Sequence, residues 1–250
     1  MNNNYINTYL QEVIVRADFA VPLLDMQNDI NPKLKKSIMN LFPICEFNDL
    51  IANEFRVSGD KFESNQTTVK EYKFFSKDRK KFAIINEKCL LIRYEKYEKF
   101  EILLSNFMSI IDVLFDVNAD VQINRLGLRY VNNIHFDNEP NPTDWEEYLD
   151  IKLLSIFNVG NNKQYVVRAF QNLEFHFEDI HLQFQYGMHN PDYPMPIYKK
   201  IFILDYDAHC IGMIQKSSEL KEYLIKFHGE INKLFESSIT EKLRSVMGIE

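Results

Sequence analysis

Two histidines, His176 and His181, have the residue type and spacing that come closest to a metal or proton-transfer site. They lie in the segment 173–186, where every second residue is apolar on either side of Glu178-Asp179. If those two residues form the turn of a β-hairpin, the two imidazoles face each other across the strands on the polar side. Opposed imidazoles can share a metal ion or a proton.

A metal site at this pair needs further ligands, because zinc sites use three or four converging ligands. Glu174 on the same face and His189 in the following loop are the candidates. The alternative, which we favour, is that both histidines are solvated on the wet side of an amphipathic hairpin. The sequence therefore predicts no cofactor and no catalytic residue.

Four arginines are candidates for binding an anion. Arg125 and Arg129 share one face of a predicted strand, and Arg16 and Arg168 lie in repeated Val-Arg-Ala segments. Guanidinium groups bind phosphate and carboxylate through paired hydrogen bonds, so a common cleft would indicate a nucleotide or a nucleic-acid backbone as ligand. The alternative is that each arginine pairs with a nearby carboxylate. We favour it because acidic residues are in excess.

The proline-rich loop over 190–197 offers candidates for a protein interface. Tyr193, Met195 and Ile197 alternate there with prolines. Large side chains on a pre-ordered backbone lose little entropy on binding, which suits an interface anchor. The alternative is that Tyr193 and Met195 fold back to cover the sheet edge beside Ile203.

Composition and missing motifs exclude several classes of protein. The chain has no GxSxG, HExxH, P-loop or GxGxxG motif and contains only seven glycines, which disfavours the common nucleotide enzymes and hydrolases. Its net charge of −7 argues against sequence-independent attraction to DNA. The sequence has no apolar run of about 20 residues and no signal peptide, so we expect a cytoplasmic protein without membrane contact. Its three cysteines are scattered, and we expect them to be reduced thiols.

Periodicity predicts an α+β fold with a mainly antiparallel sheet and two long amphipathic helices on one sheet face. The chain of 250 residues is 46% hydrophobic, enough for a large core. Period-two alternation predicts strands over 13–19, 89–94, 121–136 and 200–206, and hairpins over 70–85 and 173–186. Helical spacing predicts helices over 32–41, 100–115, 218–235 and 239–247, and a helix that Thr143 caps.

The two halves of the chain look duplicated. The helical pattern from Phe107 to Phe115 recurs from Phe227 to Phe235, an offset of 120 residues, and Phe202 follows Phe82 by the same offset. We predict two strand-hairpin-helix halves, 1–140 and 141–250, packed as one globular unit. The linker signal Asp-Asn-Glu-Pro-Asn-Pro over 137–142 marks the boundary.

Three segments together spanning nearly the whole chain resemble a sporadically distributed family of uncharacterised bacterial proteins. They are Y-L-Q-E-V over 9–13, R-L-G-L-R-Y-V-N over 125–132 and F-E-S-S-I-T-E-K-L-R-S-V-M-G over 235–248. Family members usually have proline in place of Tyr9. The resemblance implies no activity, and the patchy distribution implies accessory genes such as anti-phage or toxin–antitoxin modules.

The second and third motifs also have a physical interpretation. We expect Asn132 to satisfy a buried backbone group, Ser238 or Thr240 to cap the last helix, and Gly248 to end it. These are structural roles and need no ligand.

Three functions follow from these observations, in order of preference. The first is a non-catalytic binding or regulatory protein that holds a partner protein, either a second copy or the product of a neighbouring gene, on its polar sheet face or between its halves. The second is an accessory factor that recognises nucleic acid or a nucleotide through the four arginines. The third is a metal-dependent enzyme of an unfamiliar type at His176 and His181.

Overall fold

Backbone pairing builds the molecule around a large β-sheet. A computed structural model describes residues 5–58, 61–137, 139–157 and 163–248, with side chains described outside 48–58, 61–69 and 164. The strands are β1 (Leu10–Phe19), β2 (Ile44–Ser58), β3 (Lys61–Phe75), β4 (Lys81–Ile85), β5 (Cys89–Tyr94), β6 (Ile123–Phe136), β7 (Ala169–Phe177), β8 (Ile180–Met188) and β9 (Lys200–Ile214). Within the described residues they form a nine-stranded sheet in the order β2-β3-β4-β5-β1-β6-β9-β8-β7.

The helices are α1 (Pro32–Leu41), α2 (Phe100–Val117), α3 (Ile151–Leu154), α4 (Ser217–Ser238) and α5 (Glu241–Met247). Side-chain caps mark the beginnings of α1, α3 and α5. The Asn31 side chain accepts a hydrogen bond from the Lys33 amide at the start of α1, and Thr240 accepts one from the Leu243 amide at the start of α5. Gly248 ends α5 with a φ of 66°, a left-handed conformation that favours glycine.

The prediction of an α+β protein with an antiparallel sheet is confirmed. The pairs β2–β3, β3–β4, β4–β5, β7–β8 and β8–β9 are all antiparallel. Both predicted hairpins form, and the predicted strand over 89–94 is β5. The duplication and the placement of both long helices on one face stay predictions.

The helix predicted to begin at Thr143 was wrong. Residues 143–150 form turns and an isolated bridge between Leu149 and Ile239, and the helix that follows is the four-residue α3, capped by Asp150. Trp145 and Leu149 are fully buried and Tyr148 nearly so. Burial of such side chains contributes more than the roughly 1 kcal/mol of a capping interaction, so tertiary packing decided this segment.

The sequence does not predict β2, which pairs along its length with β3. Phe82 lies in β4, and the predicted strand over 89–94, β5, separates it from α2. Phe202 lies in β9, directly before α4, so the two phenylalanines occupy strands at different positions in the chain order.

Contacts divide the chain into two compact units. The first unit comprises Met1–Val13, Gly127–Cys210 and Tyr223–Glu250, and the second comprises Ile14–Leu126 and Ile211–Glu222. The boundary predicted at residue 140 therefore falls inside the first unit. The long strands β1, β6 and β9 each contribute residues to both units.

An aromatic core holds α4 against the sheet in the first unit. The rings of Phe184 and Tyr206 stack with centroids 4.4 Å apart, and Tyr206 meets Phe235 of α4 edge to face at 6.5 Å. The Tyr206 hydroxyl donates to Ser238 Oγ over 3.1 Å.

The second unit has its own core between β5 and the helices α1 and α2. Leu103, Phe107 and Leu114 of α2 are completely buried. Asn106 donates to the Tyr94 hydroxyl over 2.6 Å. Among the described residues, no helix combines the length and apolar character needed to cross a bilayer.

Candidate binding surface

The predicted histidine pair forms as the hairpin geometry requires. Phe177 pairs with Ile180, so Glu178-Asp179 is the two-residue turn, and His176 pairs directly with His181. Glu178 has a φ of 53°, which the first central residue of a tight hairpin turn needs. The two imidazole rings stack with centroids 4.3 Å apart and planes 18° from parallel.

A third histidine, His209 of β9, extends this pair into a ladder. It pairs with His181 across β8 and β9, and their rings stack at 5.4 Å and 17°. His209 was not among the predicted site residues, because the last strand was predicted to end near Tyr206. The signal was present, since period-two alternation continues through Ala208 and Cys210, both buried.

The ladder does not gather the other two predicted metal ligands around one point. Glu174 pairs with Gln183, one step along the same face. His189 lies eight residues beyond His181 at the far end of β8, roughly 27 Å away at the usual strand rise. Stacked rings present their faces to each other, and no group of three metal-ligating side chains is found in the described part of the chain.

Three of the four candidate arginines lie next to carboxylates. Arg16 and Arg125 both approach Asp18, at 2.6 and 3.7 Å. Arg129 pairs with Asp205. The fourth, Arg168, lies with its guanidinium carbon 5.0 Å from the centre of the Tyr193 ring.

The ion pair of Arg129 and Asp205 is the most enclosed of these contacts. Arg129 donates through Nε over 2.8 Å and through a terminal nitrogen over 2.6 Å to the two oxygens of Asp205, which is only 8% exposed. The hydrogen bonds to Asp205 hold the pKa of Arg129 above its ordinary value. Asp207 lines the same recess of about 160 Å³, together with Gln183 and Gln185. The carboxylates of Asp205 and Asp207 therefore disfavour the binding of an anion beside Arg129.

The motif strand β6 uses its other polar residues for structure. The Tyr130 hydroxyl lies 3.1 Å from His228 Nδ1 on α4, and Asn132 donates to the Leu204 carbonyl over 3.3 Å. The role predicted for Asn132 is therefore confirmed. Burial lowers the pKa of His228 to about 3, so this imidazole is neutral near pH 7.

The C-terminal motif is likewise a structural element. Arg244 donates through Nε to a carboxylate oxygen of Glu236 over 3.1 Å and also contacts its backbone carbonyl. The Tyr5 hydroxyl donates to the same carboxylate over 3.0 Å. Thr240 caps α5 as predicted. The motif thus ties the beginning of the described chain to α4 and α5.

The loop between β8 and β9 presents large side chains to solvent. Tyr193 and Met195 are 54% and 57% exposed, and Tyr198 is 70% exposed. Tyr193 and Met195 therefore do not fold back over the sheet edge. Ile197 is 7% exposed and anchors the loop instead of lying in its surface. We call Tyr193, Met195 and Tyr198 the loop patch.

Polar contacts fix the backbone beneath the loop patch. Asn190 donates from Nδ2 to the carbonyls of Val167 and Met195 over 3.0 and 2.7 Å, and its Oδ1 accepts from the Asp192 amide. Lys199 forms an ion pair with Asp192 at 3.0 Å. The patch is therefore carried on a hydrogen-bonded backbone, and the available sequence signal was the Asn190-Pro191 pair after the hairpin.

No protein-family model matches the chain, and no curated protein matches it.

Proposed function

We propose that this protein is a non-catalytic binding protein that holds a basic partner protein through its loop patch. The observation that carries the proposal is the contrast within one loop between an anchored backbone and exposed large side chains. Asn190 and Ile197 are each 7% exposed, whereas the three patch side chains are more than half exposed. A rigid loop pays little conformational entropy when it docks.

The chemistry of the patch favours a protein partner. Tyrosine, methionine and arginine are enriched at the centres of protein interfaces, and Arg168 lies against the Tyr193 ring. Nucleic-acid binding requires several cations available to phosphates. Arg16, Arg125 and Arg129 instead contact carboxylates, which supports the ranking of the nucleic-acid alternative below the protein partner.

Charge favours a partner of opposite sign over a second copy. The net charge of −7 makes two copies repel at long range and attracts a basic protein. We also propose that the chain belongs to the bacterial family that it resembles and acts beside a toxin or nuclease in a defence module. The two motifs over 125–132 and 235–248 support this part of the proposal.

The test is affinity capture of partners from a lysate of the protein's native cells, with two double variants of the tagged protein. The variant with Tyr193→Ser and Met195→Ser changes the patch, and the variant with Ile211→Ser and Met213→Ser changes two side chains of similar exposure, 71% and 63%. We expect one stoichiometric partner with the wild type and the control. Affinity of the purified partner should fall about tenfold or more in the patch variant.

Thermal unfolding decides whether that loss is specific. Because both patch side chains are exposed, the melting temperature should stay within about 2 °C of the wild type. A fall of several degrees would show that the loop belongs to the core. Equal retention of the partner by both variants would remove the loop patch as the interface.

A further inference from the structure

A pocket of about 640 Å³ lies where β6 ends and β9 begins, directly beside the loop patch. Asn133, His135 and Asp137 line it from the β6 side, and Tyr198 and Lys199 line it from the other. Tyr198 belongs both to the loop patch and to this pocket. A partner that covers the patch therefore also reaches the pocket.

The β6 side of the pocket carries hydrogen-bond acceptors that lack donors. The Oδ1 atom of Asn133 is buried without a hydrogen-bond partner among the described residues. His135 Nδ1 lies 3.0 Å from the Asn133 carbonyl; a carbonyl only accepts, so Nδ1 carries the proton and Nε2 of the neutral ring is an acceptor. No contact within the described chain pairs the carboxylate of Asp137.

The two lysines of the pocket are already paired. Lys199 lies 3.0 Å from Asp192. Lys200 is only 5% exposed, and its ammonium lies 3.9 Å from Glu139 and over the ring of Tyr148 at 5.0 Å. The groups that remain to meet a ligand are therefore acceptors, although the pocket contains cations.

We infer that this pocket takes an arginine side chain of the partner. A guanidinium presents five donors in one plane, which suits several separate acceptors, and it stacks on aromatic rings such as the exposed ring of Tyr198. The exposed carboxylate of Asp137 gains a counter-ion. This inference rests on the proposed function and specifies its partner chemistry.

The test is an NMR titration of the full chain with three small probes, followed through backbone amide shifts. N-acetyl-arginine amide should perturb residues 133–137 and 198–201. N-acetyl-citrulline amide has the same shape without the charge and should bind at least about tenfold more weakly. N-acetyl-glutamate amide should not bind there.

Two variants with the same change in net charge distinguish binding in the pocket from a general effect of the protein's charge. Asp137→Asn should weaken arginine-probe binding about fivefold or more. Asp116→Asn, at a carboxylate 68% exposed on α2, should leave it unchanged. Equal binding of the citrulline probe, preferential binding of the glutamate probe, or an Asp137→Asn variant with wild-type affinity would each overturn the inference.

Failure here is distinguishable from failure of the proposed function. If the loop-patch variant loses the partner while the arginine probe does not bind the pocket, the binding protein stands and the arginine inference falls. If the probe binds the pocket but the loop-patch variant keeps its partner, the arginine site stands alone as a small-ligand site and its link to the partner is refuted.

Discussion

Strand β6 and the loop between β8 and β9 use similar side chains in opposite ways. On β6, the polar groups of Arg129, Tyr130 and Asn132 bond to Asp205, His228 and the Leu204 carbonyl. In the loop, the Asn190 side chain holds the backbone through several hydrogen bonds, and the large side chains remain exposed.

The comparison shows that a specific sequence motif and a surface available for binding are different properties. The β6 motif is the most specific pattern in the chain, yet its polar groups satisfy the protein's own charges and backbone groups. The loop has no motif, yet it offers side chains on an ordered backbone. A pattern of arginine, tyrosine and asparagine therefore does not by itself indicate a ligand.

The largest expected effect comes from breaking the β6 ion pair. Arg129→Ala leaves the buried carboxylate of Asp205 without its partner and should lower the free energy of unfolding by about 2–3 kcal/mol, less than for a fully buried pair because Arg129 is half exposed. Urea unfolding at pH 7 measures it. Arg16→Ala, at an exposed pair, should cost less than about 1 kcal/mol. Equal losses would mean that the two pairs are equivalent.

The pH dependence of stability probes the contact of Tyr130 with His228, on the opposite face of β6. The folded-state pKa of His228 is about 3, below the ordinary value of about 6.5, so the unfolded chain binds more protons between these values. The contribution of His228 to the free energy of unfolding is therefore present above about pH 6.5 and is lost as the pH falls. From pH 6.5 to 4.5 this residue should remove about 2 kcal/mol.

His228→Gln cannot titrate and should abolish that part of the slope in urea unfolding measured at both pH values. A His228→Gln protein with the wild-type slope would show that other groups cause the acid sensitivity.

The smallest effect concerns the loop itself. Asn190→Ala removes the donors to the Val167 and Met195 carbonyls and should cost about 1–2 kcal/mol, since water can reach part of the loop. Partner affinity should fall with it, because the patch loses its ordered backbone. Asn172→Ala, at an exposed position, is the matched control and should change stability by no more than about 0.5 kcal/mol. Unaltered partner affinity in Asn190→Ala would show that loop order is irrelevant to binding.

Local patterns were sufficient where neighbours in the chain decide the outcome. The Glu178-Asp179 turn, the opposition of His176 and His181, and the cap at Thr240 all depend on residues within a few positions. Such interactions are encoded in period, turn and capping residues. The same reasoning failed at Thr143, where burial of Trp145 outweighed a local cap.

The sequence by itself determined the α+β class, most strand and helix positions, and the residue types from which any site could be built. Only the tertiary structure decided which of them meet. It placed His209 in the ladder through the pairing of β8 with β9 and paired Arg129 with Asp205. It also left Tyr193 and Met195 exposed and buried Ile197. Periodicity specifies which face of an element a side chain occupies, but partners distant in the chain depend on strand order and register, which local sequence does not encode.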